Sequence, residues 1–581
     1  MPDRLRLLLI LVYLGLALLG ARLFWLQVLE HDRYVTLSRG NYLKTETIPA
    51  PRGRILDRNG VVLADNRVAY DLVYTGGEVR FLERILDLLD LDALPEPEDG
   101  PVVVAANLPE DLVPTLAELT AGQENLKIVE RIERFYPHPI AGAVIGYVQR
   151  ASKEDLARGY EPDDLVGKAG LEAALEERLR GRRGLKLVER DVRGAVLREK
   201  VLVPPRPGED VHLTLDYRLQ KAAEAALEAA LRDVNAGREK LGLPPEAVLR
   251  GAAIAIDPHT GAVLAMASAP YFDPNVFVRR PVEAERIKAI IQNPAKPLLN
   301  RAVQAYTPGS TFKPITASAL LESGLVAPGK VYRCTPAILY GGQVRRNWSP
   351  RDLGPMTVED ALAWSCNTWF YQAVIDAGPL RALSAIEQRA RAFGLGQATG
   401  LGIREKTGLV PSEAWKKKTY GEPWYPGETL SVAIGQGPVL VTPAQLARAY
   451  AGLFTGKLPT LHLVARPPKT HPIPGRYFGV LRRGLRKTVT EGTARFRLKD
   501  FPVPTAGKTG TAETPGKRAG FEHAWYAGFG PWPPDGKHPP LVVVAFVENG
   551  GEGSRAALPV VQRIMAAFWG ITEADARPGN P

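Results

Sequence analysis

The stretch TPGSTFK at residues 307–313 decides how the rest of this sequence is interpreted. Its proline and glycine interrupt regular structure, and residues 314–321 after it predict a helix. Residues three apart share a helix face, so Lys313 can reach the hydroxyl of Ser310. A serine is activated by an adjacent base, and a lysine acts as that base only when burial or a second cation lowers its pKa. The pair alone is far more often a helix N-cap with a surface lysine, so further motifs must decide.

Two further short motifs follow along the chain. The tripeptide SCN at residues 365–367 lies in an apolar run, residues 358–374, that predicts a helix. The tripeptide KTG at residues 508–510 lies among small residues that predict an edge strand. Each motif alone is ordinary. Ser-x-x-Lys, Ser-x-Asn and Lys-Thr-Gly in this order resemble the active-site set of penicillin-recognising acyl-serine enzymes.

This resemblance implies a role for each motif residue. Ser310 is expected to attack the carbonyl of a D-alanyl-D-alanine stem peptide and become an acyl-enzyme, while Lys313 takes its proton. Lys508 is expected to lower the pKa of Lys313 and to attract the substrate carboxylate. Ser365 would relay a proton to the leaving amine, and Asn367 would hold the substrate amide and Lys313. Backbone N–H groups would stabilise the oxyanion, and three residues would bind substrate on the edge strand: Thr509, Gly510 and Thr511.

Length and composition limit the remaining interpretations. A chain of 581 residues is too long for one core and predicts two or more domains. The hydrophobic content of 45% is ordinary for a globular protein. The net charge of +11 fits an anionic membrane or envelope polymer. Because no basic run with interleaved aromatic residues accompanies that charge, we predict no nucleic-acid partner.

An apolar segment near the N-terminus predicts a membrane anchor. Residues 7–21 are wholly apolar, and residues 23–29 continue the run beyond Arg22. A membrane span needs about 20 residues, so the whole segment suffices if Arg22 reaches the interface. No Ala-x-Ala cleavage site follows the apolar core, which favours an uncleaved anchor over a signal peptide.

The charges beside this segment predict its orientation. Arg4 and Arg6 favour a cytoplasmic N-terminus, whereas Arg33 and Arg39 on the other side weaken the bias. Together with the chemistry of the motifs, they predict a single-pass protein of the cytoplasmic membrane. Its catalytic part would lie on the periplasmic or outer face.

The sequence after the anchor divides at a proline-rich linker, residues 203–208. Before it, short strands and helices alternate, with a hairpin turn at residues 57–60 and helices predicted over 82–94, 109–121 and 168–181. We predict three parts: residues 1–30, a cytoplasmic tail and anchor; residues 31–208, an N-terminal domain; and residues 209–581, the catalytic domain.

The catalytic domain has the pattern of an α+β fold. A strand at 211–216 precedes a helix at 217–234, and strands at 251–257 and 262–266 form a hairpin. The last predicted elements are strands at 521–529 and 541–548 and a helix at 556–569. These elements predict an antiparallel sheet with outer helices and an inserted helical lobe, with Ser310 where lobe and sheet meet.

The motifs together resemble the class B penicillin-binding proteins, and among them the elongation-type penicillin-binding protein 2. Beyond the three active-site motifs, the resemblance rests on five segments: residues 52–60, 435–437, 441–443, 523–529 and 547–551. It implies an elongated α+β pedestal of the dimerisation type and D,D-transpeptidation of peptidoglycan during cell elongation. It also implies binding of stem peptides, glycan strands and β-lactams. Expected partners are a SEDS-family glycosyltransferase and other proteins of the elongation machinery.

The two cysteines lie in and near the second motif. Some relatives carry a zinc site built from Asp, His and Cys between the first two motifs, but this interval holds Cys334 and no histidine. We therefore predict no metal and no cofactor. Cys366 is expected to be a small core residue, and a bond between Cys334 and Cys366 is the alternative.

Individual residues and segments distinguish this function from other functions with related motifs. A class D β-lactamase or a β-lactam sensor usually has valine in place of Asn367, and a class A β-lactamase needs a Glu-x-x-x-Asn segment that does not follow here. A bifunctional synthase needs a glycosyltransferase domain before Ser310. An inactive scaffold needs a broken motif, and all three are intact. A septal class B transpeptidase remains the main alternative.

Overall fold

A computed structural model describes residues 2–31, 43–97, 100–190, 196–240, 250–513, 521–572 and 575. The chain forms two compact units. The first unit comprises Met1–Gly53, Asn66–Glu133 and Glu177–Glu209. The second unit comprises Arg54–Asp65, Arg134–Glu176 and Asp210–Pro581.

The N-terminal apolar segment is one helix. An α-helix over Pro2–Phe24 continues as a π-helical turn over Trp25–Leu29. By length and composition, Leu5–Leu29 is able to cross a membrane, and its apolar side chains are exposed. This confirms the predicted anchor-length helix. Arg33 and Arg39, used above for its orientation, lie outside the described residues.

The first unit contains a small sheet and a small apolar core. The sheet is antiparallel, with strand order Leu43–Ile48, Gly184–Arg190 and Val196–Val203. The core holds Leu72, Ile85, Leu108, Leu116, Leu119 and Leu126. All but Leu108 come from strands and helices over Val62–Tyr74, Leu82–Leu89, Val113–Thr120 and Leu126–Phe135. The strand Val102–Ala105 packs partly buried residues against this core.

The predicted helices in this part of the chain are shorter than expected. The first ends at Leu89 because Asp90 adopts a left-handed conformation. Asp90 N–H then donates to the carbonyl of Asp87, and Leu91 N–H donates to the carbonyl of Leu86. The second begins only at Val113. The region predicted as one helix over 168–181 is two short helices, Gly170–Ala174 and Glu176–Leu179.

The second unit is built on a five-stranded antiparallel sheet. Its strand order is Val263–Ala269, Gly251–Ile256, Leu541–Val547, His523–Gly530 and Ala506–Ala512. The predicted hairpin at 258–261 and the predicted edge position of residues 508–510 are therefore confirmed. The strand predicted at 211–216 is only Val211–His212, which pairs in parallel with Ile55–Leu56.

Helices cover both faces of this sheet, because alternate side chains of a strand point to opposite faces. On one face, Tyr217–Lys240 and Leu558–Trp569 pack on strand residues that include Ala524, Tyr526 and Val543. On the other, Phe529 contacts Phe454 of the helix Pro443–Thr455. This three-layer arrangement confirms the predicted α+β class.

The lobe inserted between the sheet strands is mainly helical. Its larger helices are Ala284–Gln292, Lys313–Glu322, Val358–Ala363, Asn367–Ala377, Pro379–Ala392, Glu413–Tyr420, Pro426–Ala433 and Phe478–Thr490. Short strand pairs join them: Tyr332–Arg333 with Pro355–Met356, Ala337–Tyr340 with Gln343–Arg346, and Lys457–Pro459 with Thr470–Pro472. The helix Lys313–Glu322, named here the nucleophile helix, is buried almost throughout.

Candidate active site

A single 3-10 turn, Gly309–Phe312, presents Ser310 immediately before the nucleophile helix. Gly309 has a φ of 55°, and a Cβ there would lie 2.6 Å from the carbonyl oxygen of Thr511. Only glycine combines that conformation with that close approach. The turn therefore packs directly against the edge strand Ala506–Ala512, and half-buried Ser310 lies next to the third motif.

Lys313 is completely buried, and its amine is held by the second motif. Nζ lies 2.7 Å from the carbonyl oxygen of Ser365, 2.7 Å from Asn367 Oδ1 and 3.3 Å from Ser365 Oγ. Among the described residues it has no hydrogen bond to Ser310 Oγ. The Ser365 carbonyl and Asn367 Oδ1 can only accept hydrogen bonds. A neutral Lys313 amine would donate its two N–H groups to them and keep its lone pair for a hydroxyl.

The charge state of Lys313 follows from this burial. Burial, and secondarily the positive charge of Lys508, hold the pKa of Lys313 well below its usual value. Burial therefore contributes more than the second cation that the sequence analysis emphasised. Since no carboxylate hydrogen-bonds to this amine among the described residues, the neutral form is favoured, as a general base requires.

The second motif departs from its predicted helix. The region predicted as one helix over 358–374 is two helices, Val358–Ala363 and Asn367–Ala377, separated by a turn. Ser365 in this turn has a φ of 55°. The turn directs both the carbonyl and the hydroxyl of Ser365 at Lys313, which a continuous helix would not do.

Cys366 forms a disulfide bond with Cys334. The expectation of a free, small core residue is therefore wrong, and the alternative pairing is correct. Both cysteines are fully buried, as a small apolar residue would be. Burial alone therefore does not distinguish a free core cysteine from a paired one. The disulfide requires residues 334–354 to fold back before the second motif. This fold-back is held by two hydrogen bonds, from Cys334 N–H to the Gly354 carbonyl and from Leu353 N–H to the Cys334 carbonyl.

The third motif lies on the edge strand. Lys508 is fully buried, its Nζ donates to the carbonyl oxygen of Thr509 at 3.1 Å, and burial lowers its pKa to about 7. Thr511 is exposed. A Cβ at Gly510 would lie 2.8 Å from Thr311 Cγ2 and 3.1 Å from the carbonyl oxygen of Pro308. Gly510 thus permits close packing of the turn that carries Ser310, in addition to the substrate contact expected from its place in the third motif.

Other residues of the site were missed or only partly recognised from the sequence. Thr493 Oγ1 lies 2.6 Å from Thr509 Oγ1, and no local pattern marks it. The GQG segment at 435–437 contributes to the family resemblance, and the structure adds a role for it, since the Gly435 carbonyl accepts a hydrogen bond from Gly309 N–H at 2.9 Å. Tyr450 donates to the carbonyl of Thr311 at 3.0 Å. The contacts of Gly435 and Tyr450 support the turn that carries Ser310.

No group of three or more His, Cys, Asp and Glu side chains is arranged to hold a metal ion within the described ranges.

Two family models match the chain. The model described as "Penicillin binding protein transpeptidase domain" matches residues 251–566, and "Penicillin-binding Protein dimerisation domain" matches residues 47–213. The first covers more than half of the chain and includes all three motifs. The chain belongs to the class B penicillin-binding proteins. This confirms the family predicted from the motifs.

Among three curated relatives of this penicillin-binding protein, the two with the higher identities are of the elongation type. "Peptidoglycan D,D-transpeptidase MrdA" of Acinetobacter baumannii is 31% identical, over 98% of this chain and 88% of the relative. The protein of the same name from Escherichia coli K12 is 29% identical, over 98% and 95%. "Peptidoglycan D,D-transpeptidase FtsI" of Escherichia coli K12 is 26% identical, over 87% and 80%. The predicted elongation type is confirmed, and the septal alternative is less well supported.

Solved structures agree with this fold. A chain from "Structural coordination of polymerization and crosslinking by a peptidoglycan synthase complex" is 60% identical, with a TM-score of 0.85 over 98% of this chain and 99% of that chain. "Complex between Penicillin-Binding Protein (PBP2) and MreC from Helicobacter pylori" contains a chain that is 26% identical, with a TM-score of 0.74 over 90% and 98%.

Proposed function

We propose that this penicillin-binding protein is a serine-type peptidoglycan D,D-transpeptidase of cell elongation, in which Ser310 carries the acyl group. The environment of Lys313 is the observation that carries this proposal. Its amine is fully buried, its pKa is lowered, and Ser365 and Asn367 hold it beside the turn that bears Ser310. A buried lysine with a lowered pKa next to a half-buried serine supports nucleophilic acyl transfer.

Acylation is the first step. Ser310 Oγ attacks the carbonyl carbon of the penultimate D-alanine of a donor stem peptide, and its proton passes to the neutral amine of Lys313. The backbone N–H groups of Ser310 and Thr511 stabilise the oxyanion. The bond to the terminal D-alanine then breaks, and Ser365, 3.3 Å from Lys313 Nζ, relays a proton to the leaving amine.

Deacylation by an amine completes the cross-link. The amine of a neighbouring stem peptide attacks the ester carbonyl, Lys313 removes its excess proton, and Ser310 leaves as a hydroxyl. Asn367 orients the substrate amide. A β-lactam acylates the same serine, but its amide nitrogen stays attached to the acyl group after the ring opens.

Lys508 is the proposed binding group for the terminal carboxylate. Its lowered pKa, about 7, results from burial without a hydrogen-bonded anion among the described residues. A bound carboxylate would favour the charged form and raise that pKa, so binding of substrate and protonation of Lys508 would support each other. Thr511, which is exposed, and Thr509, which is buried and hydrogen-bonded to Thr493, would supply hydroxyls to the same carboxylate.

The competing functions are less well supported. Valine in place of Asn367 would favour a class D β-lactamase or a β-lactam sensor, but Asn367 is present and bonded to Lys313. An inactive scaffold would not need a fully buried lysine with a lowered pKa beside the serine, and Lys313 is such a lysine. The septal relative matches at lower identity and over less of the chain than the elongation relatives.

We also propose a location, domain division and partners. Residues 1–30 would anchor the chain once in the cytoplasmic membrane, residues 31–208 would form a pedestal, and residues 209–581 would act on the periplasmic or outer face.

A SEDS-family glycosyltransferase and other elongation proteins would supply and organise the glycan. Two solved relatives support this: one is titled as part of a peptidoglycan synthase complex, and the Helicobacter pylori protein as a complex with MreC. Small residues offer close helix packing in lipid: Gly15, Ala17, Gly20 and Ala21.

The assignment of Ser310 is tested by labelling detergent-solubilised full-length protein with a fluorescent penicillin. We expect covalent labelling of the wild type and none of Ser310→Ala. Ser323→Ala is the matched control, since Ser323 ends the same helix and bonds only to backbone carbonyls in the described structure. Robust labelling of Ser310→Ala would refute the assignment.

The partnership is tested by replacing residues 1–30 with an unrelated membrane anchor. We expect weaker co-purification with the polymerase and less glycan synthesis, while penicillin acylation stays normal. Association and synthesis that survive both this exchange and deletion of residues 41–200 would contradict the proposal.

A further inference from the structure

The turn that carries the second motif has an unfavourable backbone conformation. Ser365 lies in the left-handed region with a φ of 55°, which non-glycine residues adopt rarely. Such a conformation persists only where the surrounding structure over-determines it. The turn must also be accurate, because it places two acceptors 2.7 Å from Lys313 Nζ. Something outside the turn therefore has to hold it.

The segment 346–348, named here the turn clamp, contacts both ends of the turn. At its first end, Trp348 Nε1 donates to the carbonyl of Trp364 at 2.8 Å. At its second end, Asn367 N–H donates to Asn347 Oδ1 at 2.9 Å, and Asn367 Nδ2 lies 3.4 Å from the carbonyl of Arg346. The turn clamp thus engages the backbone and the side chain of Asn367 together.

Asn347 is itself fixed on the far side. Its backbone N–H donates to the carbonyl of Pro336 at 2.8 Å, and its Nδ2 lies 3.4 Å from Cys334 Sγ. Cys334 is bonded to Cys366, the residue between Ser365 and Asn367. One amide side chain therefore links the disulfide to the catalytic turn.

We propose that Asn347 is a positioning residue for acyl transfer, which holds Asn367 so that Asn367 Oδ1 stays within hydrogen-bonding distance of Lys313 Nζ. The inference rests on the proposed roles of Ser310 and Lys313. Each polar group of Asn367 then has its own partner, because its N–H binds Asn347, its Nδ2 points to Arg346, and its Oδ1 accepts from Lys313.

A purely structural role would have a different signature. Asn367 is the first residue of the helix Asn367–Ala377, so an acceptor for its N–H also stabilises a helix N-terminus. That helix already has a cap, because Cys366 Sγ accepts from Trp369 N–H at 3.3 Å. If Asn347 only stabilised the helix, its loss would reduce the folded fraction without changing the chemistry of Lys313.

The test compares the rates at which full-length variants in detergent are acylated by penicillin, across pH. Asn347→Leu removes both hydrogen bonds of the side-chain amide while keeping a side chain of similar size. We expect acylation to slow about 10- to 100-fold, as for a misplaced catalytic group. Asn347→Asp keeps an acceptor at a helix N-terminus, where an anion is favoured, and we expect a rate within about fivefold of wild type. Acylation requires neutral Lys313. Loss of an acceptor lowers its pKa, so the acid limb of the Asn347→Leu pH profile should move to lower pH.

Three further variants make the outcome decisive. Gln372→Leu changes the same helix away from the turn. It removes the two hydrogen bonds that the Gln372 amide donates to the carbonyls of Arg333 and Thr368, and we expect near-normal acylation. Trp348→Phe removes only the indole donor, is milder than Asn347→Leu, and should slow acylation severalfold. Ser310→Ala must be inert in parallel, because labelling of that variant would refute the proposed function and not this inference alone.

Two results would overturn the inference. One is an Asn347→Leu protein that is acylated within about threefold of wild type while Ser310→Ala is inert. The other is equal slowing by Asn347→Leu, Asn347→Asp and Gln372→Leu with an unmoved acid limb, which would show a structural role. In the described structure Lys508 is the charged group that faces Lys313, and none of these substitutions alters it.

Discussion

Replacing Lys313 with arginine isolates the requirement for a neutral base. The wild-type amine is fully buried and its pKa is lowered from 10.5, so wild-type acylation should rise with pH at values well below 10.5. A guanidinium keeps the positive charge and can still donate to Ser365 and Asn367, but it does not lose its proton in proteins. Loss of a general base usually costs about 100- to 10,000-fold, which is roughly 2.7–5.4 kcal/mol of barrier.

The assay is the second-order rate of acylation by a chromogenic β-lactam, measured by stopped flow. Lys416→Arg is the matched control, since Lys416 is also buried but pairs with Glu428 outside the site. We expect the control within about twofold of wild type and Lys313→Arg slower by at least about 100-fold. If Lys313→Arg is acylated within a few-fold of wild type, another group is the base and the reasoning from burial fails.

Two further predictions follow from other parts of the site. Gly309→Ala would place a Cβ 2.6 Å from the Thr511 carbonyl at a φ of 55°, so we expect a shifted turn and acylation about 100-fold slower. Gly324→Ala, with a φ of 70° in open space, is the control, and equal effects would contradict the role of close approach. Because burial lowers the pKa of Lys508 from 10.5 to about 7, the folded chain binds fewer protons than the unfolded chain between these values. Thermal stability should therefore rise with pH over that range, and less so in Lys508→Met; equal slopes would contradict the lowered pKa.

The order of the three motifs predicted the family, while local sequence patterns predicted the sheet and the edge position of the third motif. These features depend on local patterns: an apolar run along Leu541–Val547, a hairpin turn at residues 258–261, and helical spacing after Lys313. Each pattern is written in residues that are close in sequence. The structure therefore agrees with the prediction where the interactions are local.

The turn at the second motif could not be predicted from such patterns. The surrounding apolar run has helical spacing, but the left-handed Ser365 interrupts it, held by contacts from residues 346–348 and by the bond from Cys366 to Cys334. These partners lie up to 32 residues away along the chain. Thr493 was missed for the same reason, since only folding brings it to Thr509.

The central claim, an acyl-enzyme at Ser310 formed from the natural donor, is tested most directly by mass spectrometry. Full-length protein is incubated with glycan strands that carry stem pentapeptides, quenched in acid and digested with pepsin. We predict that the peptide containing residues 307–313 gains the mass of the donor acyl group, with the terminal D-alanine released and the modification on Ser310. An acyl group on any other residue, or release of D-alanine by Ser310→Ala, would contradict it.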